Sequence, residues 1–316
     1  MAKVLVTTRM HESIRQKIID AGYELEFCDA TSWQEKLEAA RGCVAVACRG
    51  GAYPKEFFES LPELKILALP SAGYDNVDTE TAAKLGIYVT NAADGNAKSV
   101  AEMAMLLLLG AAKRAMYNIG VMHDGNPWRG RKQPTFTEIS GKTIALLGYG
   151  NIAREFDFMC KGFGMQVLAY HPRIYEKKLP EGTIACDDLE EALSRADIVS
   201  CHIPARKENF HFIGKEEFAK MKEGAIFVNT GRGSVVDEAA LIEALQSGHL
   251  AGAGLDVFEQ EPTPVDNPLL SMDNVFCMPH IGGETAEAKL RVYDIAAQNV
   301  LRVLAGEAPI SPVNRP

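Results

Sequence analysis

Three side chains in this 316-residue sequence have the types that carbonyl chemistry needs, and they lie far apart along it. Arg232 stands between Gly231 and Gly233, where a long side chain meets little crowding, and its planar fork of donors suits a carboxylate. His280, in the run Pro279-His280-Ile281-Gly282-Gly283, is the residue type that donates a proton when a carbonyl is reduced near neutral pH. Glu261, immediately before Pro262, is suited to hold an imidazolium and favour its charged form. Taken singly, each is more often a surface ion pair or a satisfied polar residue. All three follow predicted strands, however, and a parallel sheet would gather them along one edge.

The stretch that gives them a reaction partner spans residues 142–173, KTIALLGYGNIAREFDFMCKGFGMQVLAYHPR. Residues 143–147 are mostly apolar, as in a strand buried on both faces. Gly148 and Gly150 make a tight turn, Ile152, Phe156 and Met159 follow at helical spacing, Gly164 stops the helix, and residues 166–170 read as a second strand. Strand, glycine turn, helix and strand in that order describe a dinucleotide-binding unit. The first glycine permits the turn, the second lets backbone approach a pyrophosphate, and the helix N-terminus supplies N–H groups and partial positive charge. Ala153 takes the place of the third glycine, and Gly148, Tyr149, Gly150, Asn151 and Ile152 are the expected contacts.

The end of the second strand bears on which dinucleotide is bound. A carboxylate about 20 residues beyond the glycines would accept bonds from both ribose hydroxyls of NAD; this sequence has His171, Pro172 and Arg173 instead. With no carboxylate to repel a 2′-phosphate and a guanidinium able to pair with one, NADP is the expected cofactor. NAD stays open, because Arg173 also reads as a solvated loop residue like Lys177 and Lys178.

The length suggests about two domains, and 47% hydrophobic with 24% charged residues is an ordinary globular composition. A net charge of −9 without a long basic run makes nucleic acid and anionic membrane unexpected partners, so any anion pocket must be locally positive. The longest apolar run, residues 103–112, is too short to span a bilayer. Seven scattered cysteines with no CxxC pair and no signal sequence predict reduced thiols in the cytoplasm, and no metal site is expected.

Along the chain, strands at 3–8, 23–27, 43–48, 66–69 and 87–90 alternate with helices at 11–21, 33–40, 54–61 and 78–85. Such alternation predicts an α/β domain with a parallel sheet covered on both faces. It has no glycine fingerprint, so it is the partner domain, and the loops at Arg49, Gly50 and Gly51 and at Ala72 and Gly73 are its candidate substrate contacts, or merely tight turns. A long helix is predicted from 97 to about 115, then a polar connection, residues 117–137, long enough to be functional or an intersubunit arm. After Arg173, helices at 189–194, 216–222 and 237–246 alternate with strands at 197–201, 225–229 and 251–257, and a short strand at 275–278 precedes His280. Polar clusters follow three of these strands: His202 with Pro204, Thr230 with Gly231 and Arg232, and Asp256. The final helix, 286–304, can return to the first domain.

Together with these features, GYDNVD from Gly73, SVAE from Ser99, GYGNIA from Gly148, MKEGAIFVNTGRGSVVDEAAL around Arg232, AGAGLDVFEQEP ending at Pro262 and MPHIGGET around His280 resemble the D-isomer-specific 2-hydroxyacid dehydrogenases over nearly the whole chain. The resemblance implies two doubly wound parallel-sheet domains. A Rossmann-type cofactor domain, 97–284, would be inserted in a flavodoxin-like substrate domain, 1–96 with 285–316. It implies that Arg232 binds the carboxylate of a small 2-oxo acid, such as glyoxylate or hydroxypyruvate, and that His280, supported by Glu261, protonates the carbonyl oxygen as a nicotinamide passes hydride to C2. Asp256 matches the residue that holds the nicotinamide carboxamide, and Thr230, Pro204, Gly282 and Gly283 match cofactor contacts, with His202 and Gly231 assigned beside them. A homodimer is implied, with residues 117–137 in its arm. Two departures stand out, Ala205-Arg206 where Leu-Thr is usual and Gly282-Gly283-Glu284 where serine and alanine are usual; Glu284 is expected to disfavour a bulky acidic substrate. The alternatives are a phosphoglycerate dehydrogenase-type enzyme, disfavoured by the end of the chain at Pro316, and an NAD(H)-sensing binding protein like the related corepressors.

Overall fold

The computed structural model describes residues 1–123 and 135–316. It divides into two compact units, Met1–Ala97 with Glu284–Pro316, and Lys98–Gly283. In the first unit β1 (Lys3–Val6), α1 (Glu12–Asp20), β2 (Glu24–Phe27), α2 (Trp33–Ala40), β3 (Cys43–Ala47), α3 (Lys55–Glu59), β4 (Ile66–Ala68), α4 (Thr79–Lys84) and β5 (Tyr88–Thr90) alternate along the chain. Next come α5 (Ala97–Ala112), α6 (Ala115–His123), β6 (Thr143–Leu147), α7 (Asn151–Gly162), β7 (Gln166–Tyr170), β8 (Thr183–Cys186), α8 (Leu189–Arg195), β9 (Ile198–Cys201), α9 (Lys215–Lys220), β10 (Ala225–Asn229), α10 (Glu238–Gln246), β11 (Leu250–Leu255) and β12 (Val275–Cys277). The last helix, α11 (Ala286–Leu304), belongs to the first unit.

Among the described residues there are two sheets, and every strand pairing in them is parallel. The five-stranded sheet has the order β2-β1-β3-β4-β5 and the seven-stranded sheet the order β12-β11-β10-β9-β6-β7-β8. The order of the second sheet reverses between β6 and β9, the point where an open α/β sheet leaves a crevice at the strands' carboxyl ends.

Alternate residues of each strand feed a different core. Leu147 and Ala145 of β6 pack with α8, α9 and α10, whereas Ile144 and Leu146 pack with α5 and α7. In the first unit Val4 and Val6 face α1 and α11, and Leu5 faces the cluster of Phe57 and Phe58. A strand buried on both faces leaves little room for polar side chains, Ser200 and Asn229 near the ends of β9 and β10 being exceptions, so most of its chemistry is displaced to the loops beyond it. The helices start where short side chains can accept backbone N–H bonds: Asp78, Asp188, Asp237 and Thr285 cap α4, α8, α10 and α11.

The structure corrects the sequence at three places. The helix predicted over 97–115 ends at Ala112, because Arg114 takes a φ of 47° and breaks it, and a second helix, α6, begins at once. Residues 117–123, expected in an irregular connection, are therefore helical; residues 124–134 of that predicted arm lie outside the described residues. The strand β8 was not predicted, because TIAC is four residues long on a sheet edge, with only Cys186 buried and Ile184 exposed. All seven cysteines are free thiols, and burial pushes Cys48 and Cys201 up to about 12. Among the described residues, no helix is long and apolar enough to cross a membrane.

Helix α5 approaches β11 so closely that a Cβ on Gly254 would stand 2.7 Å from the Leu107 carbonyl oxygen. Gly254→Ala is therefore expected to cost about 1–3 kcal/mol by overpacking. A lowered urea midpoint is the expected result, and an unchanged one would show that the helix can move aside.

Candidate active site

The loops leaving β6, β9, β10 and β11, four adjacent strands, carry most of the predicted site. Gly148 adopts a φ of 86°, and a Cβ on it would stand 3.0 Å from the backbone of His202, so only glycine allows both the turn and the approach. Gly150 is the N-cap of α7 with no side-chain cap, and the direction of its absent Cβ is open for 4 Å. An uncapped helix N-terminus with open space at its glycine fits a dinucleotide pyrophosphate. Tyr149, expected as a contact, is turned the other way. Its side chain is fully buried, its hydroxyl donates to Asp157 Oδ2 at 2.5 Å, and only its backbone is left for a ligand. Asp157, itself buried, also accepts from Thr183 at 2.6 Å and lies 3.0 Å from Lys161 Nζ, so a polar knot ties the glycine turn to α7 and β8. Of the other predicted contacts on this turn, Asn151 is exposed and Ile152 half-buried.

His202 is a structural tie. Its Nε2 lies 3.0 Å from Ser200 Oγ and its Nδ1 3.0 Å from Thr230 Oγ1, joining the ends of β9 and β10. Burial pulls its pKa down to about 3, so it is neutral at physiological pH. Gly231 packs against the same loop, where a Cβ would stand 2.7 Å from the Ile203 carbonyl oxygen; Pro204 beyond it is exposed.

A chain of backbone-directed bonds then fixes Arg232, Glu261 and His280. Buried Asn229 accepts from Gly231 N at 3.0 Å and donates to the Arg232 carbonyl at 3.1 Å, setting the turn on which the guanidinium stands. Gly233 lies so tight on the next loop that a Cβ would overlap the Phe258 carbonyl at 1.8 Å. Phe258 N in turn donates to Glu261 Oε1 at 3.0 Å, and Glu261 Oε2 lies 2.6 Å from His280 Nδ1. Burial alone would raise the Glu261 pKa, but the bonds from His280 and Phe258 and the charges of His280 and Arg232 outweigh it and hold the carboxyl below its ordinary value. With Nδ1 engaged by Glu261, Nε2 is the nitrogen left for a substrate.

His280 has a φ of 54°, a left-handed conformation that costs a non-glycine residue on the order of 1 kcal/mol. The residues after it are pinned by Asp256, whose Oδ1 accepts from Ile281 N at 2.9 Å and Oδ2 from Gly282 N at 2.8 Å. Asp256 was expected to hold a carboxamide; here both of its oxygens first hold the His280 loop, and burial raises its pKa despite those bonds. Ser99 Oγ donates to the Gly282 carbonyl at 2.6 Å, fixing the loop from the other side, and Gly283 follows half-buried.

At the end of β7, His171 Nδ1 accepts from Arg173 N at 3.0 Å. Burial and the charges of Lys177, Arg173 and Arg206 lower the His171 pKa, which marks this corner as cation-rich. Arg173 is exposed, its nearest carboxylate 3.8 Å away on Glu176, and Pro172 beside it is exposed too.

In the first unit, Gly50 and Gly51 follow β3 with φ of 75° and 72°. Lys36 had been passed over in the sequence. It is fully buried, and its Nζ donates to the Gly50 carbonyl and, at 3.3 Å, to that of Arg49. The spacing of Trp33, Lys36, Leu37 and Ala40 placed it on the inward face of α2, the one available signal. Asn91 does similar work beyond β4, donating to the Ala72 carbonyl at 2.8 Å, and Ser71 donates to that of Gly73 at 3.0 Å. The guanidinium of Arg49, expected to meet substrate, is bound by Glu284. Among the described residues, no group of His, Cys, Asp or Glu side chains is arranged to hold a metal ion.

The depressed pKa of His202 has a defined sign in stability. Between about 3 and its ordinary value of 6.5 the unfolded chain takes up a proton that the folded chain refuses, so stability falls as pH drops through that window. In urea unfolding at about pH 7.5 and about pH 5, His202→Asn is expected to lose less stability on acidification than the wild type. An equal loss would contradict the assignment.

The family description "D-isomer specific 2-hydroxyacid dehydrogenase, NAD binding domain" matches residues 105–282. The chain is 38% identical over 319 residues to the D-3-phosphoglycerate dehydrogenase of Methanocaldococcus jannaschii; the match covers 100% of this chain but only 60% of that enzyme. It is 37% identical over 320 residues to the glyoxylate reductase of Korarchaeum cryptofilum, covering 99% of this chain and 96% of the relative. Among solved structures, the NADPH-dependent glyoxylate/hydroxypyruvate reductase of Sinorhizobium meliloti in complex with NADP and malonate is similar at a TM-score of 0.84 and 26% identity, over 99% of this chain and 96% of that one. A likeness that runs the full length of both chains, in sequence as in fold, means that this chain belongs to the D-isomer-specific 2-hydroxyacid dehydrogenases, the NAD(P)-dependent oxidoreductases of 2-hydroxy acids.

Proposed function

We propose that this protein is a cytoplasmic, NADPH-preferring reductase of small 2-oxo acids such as glyoxylate or hydroxypyruvate. The observation that carries the reading is the 2.6 Å contact between Glu261 Oε2 and His280 Nδ1, with Arg232 near enough for its charge to act on Glu261. Arg232 takes the substrate carboxylate on its two-pronged edge and so orients the carbonyl. A nicotinamide bound there would supply the hydride to C2. His280 Nε2 gives its proton to the carbonyl oxygen as negative charge builds there, and Glu261, 2.6 Å from Nδ1, holds the ring in place. In the reverse direction the neutral imidazole takes the hydroxyl proton. The backbone from Gly148 to Ile152 holds the pyrophosphate, Thr230, Gly231, Pro204, Gly282 and Gly283 line the cofactor, and the loops at Arg49 to Gly51 and at Ala72 and Gly73 meet the substrate.

The preference for NADPH is supported by His171, Pro172 and Arg173 standing where a ribose-binding carboxylate would be, and by the positive charges of Arg173, Lys177 and Arg206 around His171. The Sinorhizobium relative, named as NADPH-dependent, points the same way. A homodimer is supported by α6, whose Met116, Ile119 and Met122 recur at one-turn spacing with exposures of 40%, 48% and 57%.

His280→Ala and Arg232→Ala are each expected to lower kcat/KM for glyoxylate or hydroxypyruvate by at least about a hundredfold, with the dissociation constant for NADPH near that of the wild type. Full turnover in either variant would reject its role. Arg173→Ala is expected to raise the KM for NADPH by about tenfold, the loss of one charge-assisted bond, and to leave that for NADH nearly unmoved. An unchanged ratio would remove the account of Arg173.

A further inference from the structure

Arg49 follows β3 at the carboxyl edge of the first sheet, where a parallel sheet meets its ligand, yet its guanidinium is engaged. Glu284 Oε1 binds Arg49 Nη1, and Glu284 Oε2 lies 3.0 Å from Lys289 Nζ. One carboxylate thus serves two cations, all three side chains belonging to the same unit. The Glu284 side chain is about two-thirds covered, with 32% exposure, and the Arg49 and Lys289 charges keep its pKa low against the effect of burial. Arg49 and Arg9 both act on the phenol of Tyr293, so the positive field here is larger than one residue supplies.

We propose that Glu284 sets the substrate class. By occupying Arg49, it suits the loop after β3 to 2-oxo acids whose substituent on C2 is uncharged and turns away those with a second anionic group, such as a phosphate ester. The proposal deepens the reductase reading and rests on it. A phosphate that sought the Arg49 fork would have to displace a charge-assisted bond and then lie beside the released carboxylate, a repulsion that selects against one partner rather than for another. A hydrogen or hydroxymethyl group on C2 meets neither cost. Removing the charge of Glu284 would leave Arg49 and Lys289 unneutralised, a site suited to the anion now excluded. In this chain the same side chains favour the first of two activities named among the relatives, glyoxylate reduction, over phosphoglycerate dehydrogenation.

The test compares hydroxypyruvate with 3-phosphohydroxypyruvate in the wild type, Glu284→Gln and the double variant Glu284→Gln/Arg49→Gln. Selectivity is read both as kcat/KM with NADPH and as dissociation constants on the NADP-loaded protein. The wild type should favour hydroxypyruvate. Glu284→Gln should shift the ratio toward the phosphorylated acid by about tenfold or more, and removal of Arg49 should cancel most of that gain. An unmoved ratio in Glu284→Gln, a wild type that already prefers the phosphorylated acid, or binding of neither acid would overturn the proposal. Binding of both acids without reduction of either would sink the reductase reading alone, while the dissociation constants still decide the role of Glu284.

Discussion

A carboxylate and an imidazole 2.6 Å apart, Glu261 and His280, impose the constraint that the rest of the site serves. Two loops have to be held still for that distance to persist, and each is held by backbone. Phe258 N–H anchors Glu261, Gly233 lets the Arg232 turn lie flat on the Phe258 loop, and Asp256 grips the two residues after His280. The left-handed φ of His280 shows that the surroundings, rather than the residue's own preference, decide where the imidazole stands. Under the proposed role of His280 such rigidity has a chemical use, since a proton donor that must first be positioned wastes part of its effect.

Both sheets explain why the polar groups collect where they do. Their central strands are buried on both faces, so helices cover the faces and the loops at the carboxyl ends are left for ligands. The chain carries a net charge of −9, yet it belongs to a family whose substrates and cofactors are anions. Local features run against that charge: an uncapped helix N-terminus at Gly150, Arg232 on the turn that Asn229 sets, and cations around His171. Where a cation is not to be offered, as at Arg49, an internal carboxylate takes it first.

Much of this was legible from the sequence because its signals are local. Apolar pentads such as TIALL and AIFVN mark strands buried on both faces, and the glycines of GYG and GRG mark turns that side chains would block. Other features were hidden for equally physical reasons. The break at Arg114 depends on one left-handed residue within an otherwise helical run. The inward turn of Tyr149 depends on Asp157 and Thr183, eight and 34 positions away along the chain, and no spacing rule links them. Asp256 matches a cofactor contact by resemblance, and its bonds from two backbone N–H groups are not displayed by the sequence. For Lys36 the spacing on α2 was the one sign of burial, and it is outweighed in the sequence because lysine on a short helix reads as a solvated face until the packing is known.

The central claim is that hydride moves from nicotinamide to C2 while this chain protonates the oxygen on a fixed face. Reduction of hydroxypyruvate with NADPH deuterated at C4 of the nicotinamide, on the face the enzyme uses, tests it most directly, with the product analysed by mass spectrometry and chiral chromatography. The account predicts D-glycerate carrying one deuterium at C2. Product without the label, or the L-enantiomer, would contradict it.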